Sequence, residues 1–406
     1  MYDTEENAKL LEELNGQKIR EYAPAIAYSA FVMLVGISGN LFSIAYYGFK
    51  TQKTTTNSLI TALAVTDLIT CVVFCDEIIE LCFTITFENV IGCKIMYFTN
   101  HTLVIGSAFI LILICVDRFR KICRRQSWQL TLKSARIGVA LLLFLAVILS
   151  VRDFAILDVV QVNLTHTKEN KTIRGFYCTH TRDVHMKTVV TVFQLIDLAT
   201  FIIVISTTAI LYTFVAREIW IQRKLKESHT YLSDVKCSMS ESESTGIRRV
   251  YNSSMAETAS STIQEDTDDV NISTSTPNND PEKKVQFFTV EGDRDTTHSP
   301  NKANNVGKEH DAHTKRKHAD AIERKIAIMM IVLTVASILC FVPYFIVNLA
   351  VKRNSNTPEQ EFSVGIQIAL RSFMLNNAVN PYILCYFNTQ FKKFVKDSIC
   401  KCRLRM

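Results

Sequence analysis

Two chemically active groups stand at the ends of one apolar stretch. Cys93 opens it, and Cys115-Val116-Asp117-Arg118-Phe119 closes it. A helix from Cys93 to Arg118 rises about 38 Å at ~1.5 Å per residue, more than a hydrocarbon core of roughly 30 Å. A thiol would then stand at one membrane face and an Asp–Arg pair at the other. Taken alone, the triplet Asp117-Arg118-Phe119 serves equally as a charged helix end that stops translocation. A third group lies deeper. Asp67 falls within another apolar run, where a bare charge costs about 3 kcal/mol or more. Asn40, Ser107, Asn376 and Asn380 fall at similar depth on other runs and can join Asp67 in one polar pocket. Hydrolytic chemistry finds no support: there is no His-Glu-x-x-His and no Gly-x-Ser-x-Gly. The twelve cysteines include no Cys-x-x-Cys pair, so a zinc site is not expected either.

The elements that position these groups are read from hydropathy. The 406 residues are 48% hydrophobic with a mean hydropathy of +0.14, and the apolar residues come in blocks. Seven blocks are long enough to span as helices: 22–49, 58–83, 93–116, 137–157, 188–220, 326–351 and 364–387. The fourth is interrupted by Arg152 and Asp153. The expected fold is therefore an all-α membrane protein, a seven-transmembrane-helix bundle with a short amphipathic helix after the seventh span. Residues 1–21 are mostly charged and carry no cleavable signal peptide, so a short mobile tail, helical in part, is expected. Helices one to five with their loops occupy 22–220, and helices six and seven 320–387. The polar stretch 221–319 between them cannot bury a core and is expected to be disordered. Its ends, 217–226 and 315–325, look like basic helical extensions where a cytosolic partner could dock.

Basic residues fix the expected orientation. Arg118, Arg120, Lys121, Arg124, Arg125, Lys133 and Arg136 cluster after the third span, and Lys392, Lys393 and Lys396 follow the seventh; 84–92 has none. The loop between spans four and five is a partial counterexample. The balance favours a plasma-membrane, multi-pass chain with the N-terminus extracellular and the C-terminus cytoplasmic. The net charge of +6 forms no single patch, so nucleic acid is not an expected partner. In the segment 388–406, Phe391, Phe394 and Val395 share a face opposite lysines, which suits a helix lying on membrane lipids. Cys400 and Cys402 are either palmitoylated or plain cytosolic thiols.

Further motifs sit on the remaining spans in a fixed order. Gly39-Asn40 is on the first, Leu63-Ala64-Val65-Thr66-Asp67-Leu68 on the second, Cys340-Phe341-Val342-Pro343-Tyr344 on the sixth, and Asn376-Asn377-Ala378-Val379-Asn380-Pro381 on the seventh. With Asp117-Arg118-Phe119, this set resembles the rhodopsin-like G-protein-coupled receptors over about 22–227 and 315–397. The resemblance implies a receptor, not an enzyme. An extracellular ligand would drive helix six outward and expose a groove for a heterotrimeric G protein, with arrestin and receptor kinases as further partners. It implies switch residues Asp117, Arg118, Tyr212, Glu323, Phe341, Pro343, Asn380 and Pro381, with Arg118 latched to Glu323. It also implies a disulfide from Cys93 to Cys178 and glycans on Asn163 and Asn170; the sequons at Asn100, Asn252 and Asn271 are expected to stay bare. No cofactor is implied beyond an allosteric sodium ion at Asp67, Ser107, Asn376 and Asn380. The alternative there is a protonated Asp67 bonded to the same groups. Departures from the pattern are Phe341 for tryptophan, Leu384 for the tyrosine after Asn-Pro, Val204 for a proline of span five, and no tryptophan in span four.

For the ligand, the resemblance points to the outer half of the bundle. Asn100 stands where amine receptors carry aspartate, and Met374 where opsins carry lysine. Asn100, Gln194, Tyr344, Asn348 and Arg371 are the candidate ligand contacts, unless each makes helix–helix hydrogen bonds instead. Amides plus a cation suit a peptide, particularly an amidated or acidic one, similar to neuropeptide receptors. A non-peptide small molecule or a lipid is the alternative. A transporter or channel is the rival class, and no repeated halves or polar pore stripe support it.

Overall fold

The computed structural model describes residues 2–124, 129–166, 171–242, 303–353 and 363–403. Met1–Trp220 and His318–Met406 pack into one unit, and Ile221–Lys317 forms a second. The elements in order are α1 (Tyr2–Ser43), which ends in a π-helical turn Ile44–Lys50, α2 (Thr55–Val73), α3 (Cys75–Cys82), α4 (Val90–Cys123), α5 (Leu132–Ser150) and the single turn α6 (Asp153–Ile156). A hairpin of β1 (Leu157–His166) and β2 (Lys171–His180) follows. Then come α7 (Lys187–Ser242), α8 (Ala303–Arg353), α9 (Val364–Leu370), α10 (Met374–Phe387) and α11 (Thr389–Arg403).

Six stretches among the described residues are long and apolar enough to cross a membrane: 5–50, 55–82, 90–123, 132–156, 184–225 and 324–350. The seventh span is broken, which is why length alone misses it. Between α9 and α10 the backbone closes three-residue turns, Arg371 N–H to Ile368 O at 3.1 Å and Ser372 N–H to Ala369 O at 3.2 Å. Arg371 is therefore set on a turn and not mid-helix. Helix starts are capped locally: Thr54, Asn89 and Thr131 accept from the N–H groups of Asn57, Gly92 and Ser134.

The tail departs from expectation, because α1 begins at Tyr2 and passes through Pro24 without ending. Lys9 pairs with Glu5 at 3.4 Å and Lys18 with Glu21 at 2.9 Å along the helix surface. Asn15 anchors it by donating to Cys82 O at 2.8 Å and accepting from Ile85 N–H at 3.4 Å. A polar segment that looks mobile by composition is thus held by a tertiary contact. The stretch between spans five and six also differs. Helix continues to Ser242 and resumes at Ala303, well past the short extensions expected, because adding residues to an existing helix avoids the cost of nucleation. Residues 243–302, with Asn252 and Asn271, lie outside the described residues.

The helices touch closely where glycine permits. A methyl on Gly36 would sit 2.3 Å from Cys71 Sγ and 3.3 Å from Ala378 Cβ, so α1, α2 and α10 meet there with no spare volume. At one end of the bundle α11 folds back: Phe391, buried, lies 5.2 Å from the Tyr46 ring and 5.3 Å from Tyr47. Asn388 caps α11, accepting from the N–H groups of Gln390 and Phe391, both at 3.1 Å. Cys400 is exposed on that helix, and the side chain of Cys402 lies outside the described residues.

The hairpin covers the other end. Midway along the hairpin burial alternates, with Val162 and Ile173 inward and Asn163 and Arg174 outward, while Tyr177, Cys178 and Thr179 are all buried. β2 also joins the 84–89 loop: Phe176 N–H donates to Ile85 O at 2.8 Å and Phe87 N–H to Phe176 O at 3.0 Å.

Candidate functional site

The hairpin end holds a cavity of about 310 Å³, within the size range of small-ligand sites. The Cys93–Cys178 disulfide ties the start of α4 to β2, with Cα atoms 5.6 Å apart, so Tyr177, Cys178, Thr179 and His180 form part of the wall. The floor is aromatic. Phe201 stacks on Phe345 at 4.0 Å and lies 5.7 Å from Phe341, the residue standing in the tryptophan position. Val204 also lines the cavity, and α7 runs through it as regular helix; Thr208 hydroxyl donates to Val204 O at 2.8 Å.

Of the five candidate ligand contacts, Asn100, Tyr344, Asn348 and Arg371 line this cavity and Gln194 does not. Gln194 sits about one turn before Asp197 on α7, beyond the cavity's edge. Arg371 does not stand as a free cation. Its Nε lies 3.2 Å from Glu77 Oε2 and its Nη2 3.3 Å from Glu80 Oε2, while Nη1 donates to Gln367 Oε1 at 2.7 Å. The idea that this residue offers a positive charge to an acidic ligand therefore meets two built-in competitors. Glu77, Glu80 and His101 are wall residues that the sequence reading passed over. The signal was present, since ionisable residues inside an apolar span point to a functional site by default.

The interruption of the fourth span resolves as a buried charge network. Asp153 is fully buried and receives His101 Nδ1 at 2.8 Å. Arg152 Nε lies 3.7 Å from Asp153 Oδ1, Nη1 donates to Phe193 O at 3.3 Å, and Nη2 binds Asp197. α4, α6 and α7 are joined there by charges that would otherwise be intolerable at this depth.

Midway along the bundle, Asp67 is fully buried. Ser107 hydroxyl donates to its Oδ1 at 2.6 Å and Asn380 Nδ2 to its Oδ2 at 2.7 Å. Asn40 Nδ2 donates to Asn377 O at 2.9 Å. On the neighbouring spans, Asn40 Oδ1, Asn376 Oδ1 and Nδ2, Asn377 Oδ1 and Nδ2, and Asn380 Oδ1 have no hydrogen-bond partner among the described residues. One carboxylate, one hydroxyl and several orphaned amide oxygens are a donor set that fits a hard monovalent cation with water.

At the α11 end, Arg118 is buried. Its Nη2 lies 2.5 Å from Asp117 Oδ2 and also binds Thr56 Oγ1 on α2. Lys121 Nζ completes the cluster, 2.9 Å from Asp117 Oδ1 and 2.9 Å from Thr56 Oγ1. The described anchor of Arg118 thus joins α4 to α2; the side chain of Glu323, the expected partner on α8, lies outside the described residues. Tyr212 is buried in the neighbouring core with Ile114, Cys115 and Leu333. Leu384 is buried in that core too, while Tyr382 donates to Val35 O at 3.1 Å and Tyr386 is exposed. Neither flanking tyrosine replaces the missing one, because each lies two positions away and two steps along a helix turn a side chain by about 200°. Pro343 and Pro381 lie inside α8 and α10. Asn163 is exposed on β1, Asn100 is buried in α4, and Asn170 lies outside the described residues.

The features together are a helical membrane bundle with a pinned lid over a cavity, a polar midpoint and an anchored arginine at the far end. The family model of the 7 transmembrane receptor (rhodopsin family) matches residues 39–384. The chain belongs to the rhodopsin family of seven-transmembrane receptors. It is also similar to the neuropeptide Y receptor type 6 of Oryctolagus cuniculus, 30% identical over 132 residues, which is 31% of this chain and 34% of that receptor. The Mus musculus receptor of the same name is 30% identical over 135 residues, covering 32% and 35%. The matched part spans about a third of each relative's length.

Proposed function

We propose that this receptor binds an extracellular peptide at the hairpin end and activates heterotrimeric G proteins at the α11 end. The observation that carries this reading is the pairing of a strand-walled cavity with an arginine cluster at opposite ends of the single helix α4. The N-terminus would be extracellular and α11 would lie on the cytoplasmic leaflet. A peptide is favoured over a compact small molecule because the cavity wall includes strand β2 and polar groups from α3, α4, α8 and the seventh span. The similarity to proteins named as neuropeptide receptors points the same way.

In this mechanism ligand contacts on α8, at Tyr344 and Asn348, shift the sixth span about Pro343. Arg118 leaves Asp117 and Thr56, and the opened groove accepts the G protein. In cells expressing the full chain, pooled neuropeptides are expected to raise guanine-nucleotide exchange. Arg118→Ala should reduce that response, normalised to the receptor present at the surface, to the level of cells lacking the receptor. Ligand-gated current with no nucleotide exchange would sink the assignment.

Asp67, Ser107, Asn376 and Asn380 would hold a sodium ion that stabilises the unliganded arrangement. Replacing sodium with a large organic cation is expected to raise agonist affinity about fivefold or more, and Asp67→Asn should abolish that dependence. An equal sodium response in the variant would exclude the site.

A further inference from the structure

We infer that the cavity takes a cationic group of the ligand, a guanidinium or an ammonium, between Glu77, Glu80 and Asn100. This rests on the reading of the cavity as the ligand site.

The charge balance of the wall is the first observation. Four carboxylates line it, Asp76, Glu77, Glu80 and Asp197, and Arg371 is the only lysine or arginine that does so among the described residues. Asp197 is already paired, with Arg152 behind the wall. Glu77 and Glu80 share the single guanidinium of Arg371, at 3.2 Å and 3.3 Å. With both carboxylates ionised, one cation leaves one negative charge in excess. Among the described residues their other hydrogen bonds come from neutral donors, Tyr97 hydroxyl to Glu80 Oε1 at 3.2 Å and Asn100 Nδ2 to Glu77 Oε1 at 3.4 Å, and the His101 imidazole on the same wall acts on Glu77 only at longer range. In a low-dielectric site an uncompensated charge strongly favours a counter-ion.

The second observation is independent of charge. Asn100 is only 8% exposed and lines the cavity, and its Oδ1 has no hydrogen-bond partner among the described residues. A buried carbonyl oxygen in that state wants an N–H donor. Its own Nδ2 reaches Glu77, so the orphaned oxygen belongs to a side chain already tied to the acidic pair. A guanidinium or ammonium carries several N–H donors around one positive charge. It can satisfy a carboxylate and this amide oxygen together, which neither an anion nor an apolar group can do. Arg371 then has a positioning role. It holds the two glutamates side by side, and it removes enough of their mutual repulsion for both to stay at the wall.

The test uses purified full-length receptor and defined probes at millimolar concentration, read as a shift in thermal unfolding. N-acetyl-arginine amide presents only a guanidinium, norleucine amide only an ammonium, N-acetyl-citrulline amide neither, and N-acetyl-glutamate amide a negative charge. One or both of the first two should stabilise the chain and so tell the two sources apart; the last two should not. Glu80→Gln should weaken the stabilising probe about ten- to a hundredfold, the range for a hydrogen bond to a charged group. Stabilisation by citrulline or glutamate amide equal to that by the cations overturns the inference, as does no stabilisation by any probe. So does an unchanged affinity in Glu80→Gln. Because Glu80 is partly exposed, its variant should fold; the probe comparison on the native chain decides the matter even where Glu77→Gln does not. Stabilisation by a cation, with no peptide pool raising nucleotide exchange, would leave this site standing and remove the peptide reading instead.

Discussion

Cys93→Ser, Cys178→Ser and the double variant are expected to fail equally, each losing most receptor from the cell surface and all response to ligand. The disulfide closes 85 residues of chain. On the chain-entropy account such a closure stabilises by roughly 4 to 5 kcal/mol, a figure comparable to the whole stability of many domains. The functional loss has a second origin. β2 supplies Tyr177, Thr179 and His180 to the cavity wall, so untying it removes part of the site as well as a restraint. Equality of the single and double variants is the diagnostic feature, because either substitution removes the same bond. Surface labelling with an epitope tag measures abundance, and nucleotide exchange measures response. A double variant clearly worse than both singles would mean that the two cysteines act separately.

Arg152→Met should lower stability by about 3 to 5 kcal/mol, the cost of leaving a buried charge without its partner. The substitution keeps length and apolar volume but strands Asp153, which is fully buried and then retains only His101 among the described residues. Adding Asp153→Asn removes the stranded charge and should recover a large part of the loss, giving a strongly non-additive cycle. Asp197→Asn should cost far less, since Asp197 is 36% exposed and Arg152 keeps Asp153 and the Phe193 carbonyl. The buried thiols of Cys71 and Cys115 provide the readout: their labelling by a thiol-reactive dye on heating reports loss of packing. Additive single and double effects would show that the network carries no coupling.

Together these substitutions separate two kinds of restraint at the same end of the bundle. The disulfide limits where the lid can go, whereas the Arg152 network fixes α4, α6 and α7 against one another beneath it. The cavity between them depends on both, so a peptide that fits it would sense each change differently. The first should abolish binding, and the second should leave a binding site in whatever fraction stays folded, with Asp197 released as a further negative charge on its wall.

How much of this could be read in advance follows from where the controlling free energies lie. All seven apolar runs were legible because the transfer of apolar residues into lipid is summed over neighbours in the chain, so a run of sequence reports it directly; that the seventh breaks into two helices was not. The groups at the ends of α4 and the polar set around Asp67 were legible for a related reason. Ionisable and amide side chains inside apolar runs are costly enough to stand out one residue at a time. What only the tertiary structure decided depends on pairs remote in sequence. Asn380 meets Asp67 across 313 positions, and Arg371 meets Glu80 across 291, turning an apparent free cation into the clamp of an acidic pair. The N-terminal helix looked like a loose tail until Asn15 met Cys82, and the lid became a hairpin by pairing with itself and with the 84–89 loop. Composition assigns each residue a cost for being buried, but partners that offset that cost are chosen by packing, and packing joins positions that no local window contains.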